Sequence, residues 1–181
     1  MGGPRQDLTR LETERLILEP VTPAHAVALH DAVLASQREL LPWMPWAVDP
    51  TLDGSLAEAT RSAQDFKAGT HYHFAVIERS SGLVLGVAGF NNEAPGRPEL
   101  HYWIRTDHAG RGLTTEAARA LIAWARGELG VRSVWLWAGR DNAASRRVAE
   151  KLGFTHIGPL DWRPAGGLGD FDAERYELEL Y

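Results

Sequence analysis

The sequence predicts a mixed α/β (α+β) fold, with a mostly antiparallel central sheet flanked by helices on both faces. Three observations lead there. Apolar residues switch between a two-residue and a 3.6-residue period, giving strand, two helices, three strands, helix, strand, helix and two strands. Ser80-Ser81-Gly82 between two apolar runs signals a hairpin, which makes the middle strands antiparallel. A helix separates the fourth strand from the fifth, and such a crossover sets two strands parallel.

Taken in order, Arg15-Leu-Ile-Leu-Glu19 reads as the first strand. Thr22-Pro23 then supplies an N-cap and a proline at N1 for a helix burying Ala26, Leu29 and Val33. In Leu40-Leu-Pro-Trp-Met-Pro-Trp46 two prolines prevent regular structure, while the indoles and Met44 need cover. They either cap the core beneath a loop or form a substrate-site wall. Ser55 and Glu58 read as a capping box opening a helix that buries Leu56, Ala59, Ala63 and Phe66 and ends at Gly69. Tyr72 to Glu78, Leu83 to Phe90 and Glu99 to Ile104 are strands, the last preceded by a turn at Pro95-Gly96-Arg97-Pro98. The next helix buries Leu113, Ala117, Ala120, Leu121 and Trp124, exposes Glu116, Arg119 and Arg126, and stops between Gly127 and Gly130. Val134-Trp-Leu-Trp137 suits a strand covered on both faces. Asn142 caps a short helix ending at Gly153, and Phe154 to Ile157 and Ala173 to Leu180 close the fold around a glycine-rich loop, Gly158 to Asp172.

The totals narrow the function. The chain has 181 residues, 44% apolar and 24% charged, which suits one domain over residues 9–181 behind a flexible N-terminus, residues 1–8. A net charge of -5 favours a basic substrate over a nucleic acid. No apolar run reaches the length of a membrane span, and Met1-Gly-Gly-Pro-Arg-Gln-Asp lacks the apolar core of a signal peptide, so a soluble cytoplasmic protein is expected. The absence of cysteine excludes disulfides, thiolate metal sites and a cysteine nucleophile. His71, His73, His101 and His108 have no carboxylate at metal spacing, and no metal is expected.

The chemistry concentrates where the strand ending at Ile104 passes through Gly110-Arg111-Gly112 into a helix. Unpaired N–H groups of the first helical turn, the helix dipole and glycines without a Cβ together make an anion site. An ordinary tight connection is the alternative. No Gly-Lys-Ser/Thr follows the glycines, which argues against a P-loop.

Ala109-Gly-Arg-Gly-Leu-Thr114 and Asn142-Ala-Ala-Ser-Arg-Arg-Val-Ala-Glu-Lys-Leu-Gly-Phe154, in this element order, resemble the GNAT superfamily of acetyl-CoA-dependent N-acetyltransferases. Thr13-Glu-Arg-Leu-Ile-Leu18, Pro42-Trp-Met-Pro-Trp46 and Glu99-Leu-His-Tyr-Trp-Ile104 narrow the resemblance to the ribosomal-protein serine/alanine N-terminal acetyltransferase group. The resemblance covers residues 9 to 181 and implies the acyl-CoA N-acyltransferase fold. It further implies that an amine attacks the thioester of acetyl-CoA directly in a ternary complex, with no metal. The acceptor would be a protein N-terminal α-amine or a small amine, and a CoA-binding module without catalysis is the third reading. A homodimer is compatible with each.

The residues take their implied roles from this resemblance. Gly110, Arg111, Gly112, Leu113, Thr114 and Thr115 would cradle the pyrophosphate, while Ile104 and Asn142 would pair with the pantetheine arm. Glu99 would be the general base and Ser145 would donate to the leaving sulfur; their bland alternatives are a strand-end carboxylate and an N3 serine capping its own helix. Trp43, Trp46, Trp162 and Arg163 would contact the acceptor, with Glu174 at that site as the second candidate for the base, or else an exposed strand start. The sequence departs from the superfamily at Ala109, usually polar, at Thr114, usually small, and at Ala149, where many relatives carry a tyrosine acid.

Overall fold

Leu16 and Leu18 are buried while their neighbours are not, and this alternation marks the strand around which the first half of the sheet is laid. A computed structural model describes residues 9–91, 96–160 and 172–181. The N-terminal segment 1–8 and the expected acceptor residues Trp162 and Arg163 lie outside the described residues. The strands are β1 (Leu11–Glu12), β2 (Leu16–Pro20), β3 (His71–Glu78), β4 (Val84–Asn91), β5 (Glu99–Ile104), β6 (Ser133–Gly139), β7 (Thr155–Pro159) and β8 (Ala173–Glu179). They form one sheet in the order β1-β2-β3-β4-β5-β6-β8-β7. Neighbours are antiparallel throughout except β5 and β6, the pair joined by the crossover helix.

The helices are α1 (Ala26–Leu34), α2 (Gln37–Leu40), α3 (Leu52–Ala68), α4 (Leu113–Glu128) and α5 (Ala143–Leu152). One face of the sheet, with Ala75, Ile77, Val87 and Trp103, packs on Val21, Ala26, Leu29 and Ala59 from the α1 and α3 side. The other, with Phe74, Val76, Ala88, Phe90 and Leu100, packs on Leu113, Ala117, Leu121 and Trp124 of α4. None of the described helices is long and apolar enough to cross a membrane.

Several elements differ from the sequence reading. α3 begins one turn earlier than Ser55: Thr51 is its N-cap, accepting the Gly54 N–H at 3.1 Å. Threonine and serine make equivalent caps, and the earlier one wins because it adds a turn. A short 3-10 turn, Pro45–Val48, starts on the second proline of the stretch expected to stay irregular, because a fixed φ and a missing N–H suit the first helical position. Glu116 is not an exposed residue of α4 but is bound by Thr13 and Arg15 from beyond β1. In β6, Trp135 and Trp137 stay half-exposed on one face, so that strand is not fully covered.

Candidate active site

β5 and β6 run parallel and share a single register pair, Glu99 with Trp135, held by the Trp135 N–H on the Pro98 carbonyl at 3.2 Å. Beyond it the strands separate. Parallel strands that part leave unpaired backbone groups and a crevice at their carboxyl ends, the place where α/β sheets take ligands. Here the crevice is a cleft of about 590 Å³ that reaches both faces of the sheet. Ile104, Leu113 to Thr115, Asn142 and Ser145 line it on the α4 and α5 side, and Glu39, Trp43 and Met44 on the α1 side.

At one mouth lies the glycine loop. Gly110 and Gly112 have φ of 77° and 79°, left-handed values that an L-residue rarely adopts. With Gly112 as N-cap, the first helical hydrogen bond runs from the Glu116 N–H to the Gly112 carbonyl. The N–H groups of Leu113, Thr114 and Thr115 therefore have no intrahelical partner, and Gly110, Gly112 and these three residues all line the cleft. Successive N–H groups behind left-handed glycines, at the positive end of the α4 dipole, have the shape and charge to hold an anion. A Cβ at Gly110 would meet no atom within 4 Å, so the surrounding space admits a ligand.

The loop is braced from behind. Arg15 donates from Nη1 to the Arg111 carbonyl at 2.9 Å and from Nε to Glu116 Oε2 at 2.7 Å. The Thr13 hydroxyl donates to Glu116 Oε1 at 2.6 Å. Burial raises the Glu116 pKa, but the Thr13 and Arg15 bonds outweigh it and hold the carboxyl below the usual range. The Arg111 side chain turns away from the cleft onto Glu78, 3.1 Å from its Oε1, so only the Arg111 main chain is placed to contribute to the cradle. A second recess adjoins the loop, lined by Arg15, Gly112, Thr115, Arg119 and Lys151 among others. It brings Arg119 and Lys151 next to the loop, together with Glu14 and the ion pair of Arg15 with Glu116.

Deeper in the cleft, the Asn142 side chain accepts the Ser145 N–H at 3.0 Å and so caps α5. The Ser145 hydroxyl lies 3.1 Å from that of Tyr102, which also donates to the Ser145 carbonyl at 3.3 Å. Burial pushes the Tyr102 pKa up to about 12 against a smaller opposing effect of Ser145, so the phenol stays protonated and can donate. Glu99 lines the same cleft and is 9% exposed.

Two residues lie elsewhere. Trp46 is 53% exposed and outside the cleft wall; its ring packs against Trp103, 5.9 Å between centroids, and Trp103 lines the cleft. Glu174 is 8% exposed, neither at the cleft nor at an exposed strand start. It accepts from His156 Nε2 at 2.7 Å and Arg140 Nε at 2.9 Å, and these partners, His156 foremost, hold its carboxyl below the usual range. Among the described residues no cluster of metal-ligating side chains is gathered. Tyr102 and Arg15 stand at or behind the cleft although the sequence reading gave them no role there, and His101, weighed there only as a metal ligand, lines it. Tyr102 occupies an apolar position of the alternation, and its signal was a buried hydroxyl that requires a partner.

Residues 15–155 match the family described as the acetyltransferase (GNAT) domain. The chain is 27% identical over 155 residues, 80% of each protein, to the putative ribosomal N-acetyltransferase YdaF of Bacillus subtilis. It is 26% identical to the ribosomal protein uS5-alanine N-acetyltransferase of Escherichia coli, covering 82% of this chain and 79% of that one. Its fold is similar to RimL, a ribosomal L7/L12 α-N-protein acetyltransferase solved with coenzyme A, with a TM-score of 0.85, 22% identity and coverage of 95% and 98%. The family match takes in the glycine loop, the splayed strands and all of α5, and the chain belongs to the GNAT acetyltransferase family.

Proposed function

We propose that the protein transfers the acetyl group of acetyl-CoA to the α-amine of a protein N-terminus, a ribosomal protein being the acceptor class. One observation carries the reading: an anion cradle at Gly110 to Thr115 stands at one mouth of a cleft that passes between splayed strands to the opposite face of the sheet. A diphosphate on the cradle sends the pantetheine arm along Ile104, whose backbone lacks a β6 partner and can pair with the arm's amides. The cations of Arg119 and Lys151 lie beside the cradle for the outer phosphate. The acceptor enters from the other side, past Trp43 and Met44. Support for a protein N-terminus comes from the names of the relatives above and from chemistry: an α-amine with pKa about 8 needs far less help to deprotonate than lysine at about 10.4.

In this reading the amine nitrogen forms a bond to the thioester carbon and the carbon–sulfur bond breaks. Glu99, directly or through water, takes the ammonium proton. As the carbon–sulfur bond breaks, the Ser145 hydroxyl, held by Tyr102, gives its proton to the sulfur and takes up the second nitrogen proton, directly or through water, so that neutral thiol and amide are left. The chain contains no cysteine, so an acetyl-cysteine intermediate is impossible.

The test measures free thiol released from acetyl-CoA across peptides with N-terminal Ser or Ala, their N-formylated forms, and small amines such as spermidine. Turnover on free peptides and none on blocked ones is expected. Turnover on small amines alone would overturn the acceptor class, and no calorimetric binding of CoA would overturn the whole reading.

A further inference from the structure

His101 stands two residues beyond Glu99 on β5, on the same face of the strand, and lines the acceptor side of the cleft. Its Nε2 is sealed from solvent and makes no conventional hydrogen bond. A buried polar atom left in this state demands a physical reason. The cross-strand register supplies one: His73 on β3 and His101 on β5 both pair with Gly89 of β4. With no side chain at Gly89 the two imidazoles meet across the middle strand, 4.6 Å between centroids and 82° between planes. Both His73 nitrogens are engaged at their own edges, Nδ1 with the Ser62 hydroxyl at 3.0 Å and Nε2 with Asn91 Oδ1 at 3.3 Å. Its ring face is what remains for His101. Asn91 Oδ1 can only accept, so His73 is the Nε2–H tautomer and takes the Ser62 proton on Nδ1.

Resting on the proposed α-amine acceptor, we infer that His101 donates its Nε2–H into the face of His73, which leaves the Nδ1 lone pair facing the cleft to bind the N–H of the incoming amine. An N–H directed at an aromatic face accounts for the otherwise orphaned atom. It also selects the tautomer, as a second partner does for any imidazole. Burial, followed by His73 and His71, depresses the His101 pKa well below its usual value, so the ring stays neutral and does not compete with Glu99 for the proton. Glu99 and His101 rise from the same strand face about 7 Å apart along the chain, a separation two side chains can close on one nitrogen. His101 is then an acceptor-binding residue, and His73, held by Ser62 and Asn91, is a positioning residue behind it.

Two measurements decide it. In the full-length protein labelled with 15N-histidine, the His101 Nδ1 resonance should be that of an unprotonated ring nitrogen and should shift when a Ser- or Ala-initiated peptide is titrated. His73→Leu should redistribute the two tautomers. A protonated Nδ1 in the unaltered protein overturns the inference even if the enzyme acetylates no acceptor tested. In steady-state kinetics His101→Phe should raise the peptide KM about tenfold with the acetyl-CoA KM within about twofold, and His101→Asn, whose Oδ1 can replace Nδ1, should restore most of it. Turnover with an unchanged peptide KM in His101→Phe would overturn the role of His101 while leaving the acetyltransferase reading intact.

Discussion

Glu99 shows how much one residue's role depends on where its strand ends. Its register pair with Trp135 is the last point at which β5 and β6 hold together, so its carboxylate sits where the sheet opens. A neutral amide in its place preserves size and polarity but cannot take a proton. Glu99→Gln should lower kcat by about 100-fold or more and remove the acidic limb of the kcat profile, measured by thiol release against pH. An unchanged profile would exclude Glu99 as base. The places of Glu99 on a strand and of Ser145 in a first helical turn were legible in the sequence, because alternation and capping are local; their candidate roles came from the family resemblance. The fates of Trp46 and Glu174 were not legible. An indole between two prolines does not reveal that it leans on Trp103 from outside, and a carboxylate opening a strand does not disclose that His156 arrives from the neighbouring strand.

At the scale of the element, the strand–loop–helix unit from β5 to α4 carries the proposed cradle, and a more distant segment braces it. Thr13 and Arg15 are 103 and 101 positions from Glu116, yet together they tie the start of β2 to the first turn of α4. Arg15 also fixes the Arg111 carbonyl within the loop. Arg15 is partly exposed, so solvent screening leaves about 1 kcal/mol for each of these bonds, and loop disorder converts their loss into weaker phosphate binding. Arg15→Ala should therefore raise the acetyl-CoA KM about tenfold with the acceptor KM within about twofold. A parallel rise of both, or a fall in Tm with neither moved, would show that the brace serves the fold and not the cradle. The sequence marked the glycines but not the brace: periodicity reads positions within one helix, and Glu116 was accordingly placed in solvent.

The whole molecule buries two neutral imidazoles side by side beneath α3, and this couples stability to pH. Burial, only partly offset by the Asn91 bond, lowers the His73 pKa from 6.5 to about 4, and His101 is lowered as well. A depressed folded pKa means that the unfolded chain binds the proton first. The stability is fully present above the unfolded value of 6.5 and is lost as pH falls toward about 4. His73 alone should account for about 2 kcal/mol of destabilisation at pH 5 relative to pH 8. Denaturant midpoints measured from pH 8 to pH 5 should fall across that window. His73→Phe, whatever its absolute stability, should show a shallower slope, and an identical slope would remove His73 as a source.

The sequence by itself determined the kinds and order of the main elements and the glycine turn that opens α4. Each rests on short-range physics: hydrophobic period, capping by Asn142, and left-handed turns that glycine enters without strain. Tertiary structure decided which of those residues share a site. Alternation assigns a side chain to a face of the sheet but says nothing of what covers that face. Only the assembled sheet parts β5 from β6 at Glu99 and sets His101 against His73 over Gly89. A Cβ at Gly89 would come within 2.1 Å of the Tyr72 carbonyl oxygen. That demand comes from a neighbouring strand, and no local pattern around Gly89 encodes it.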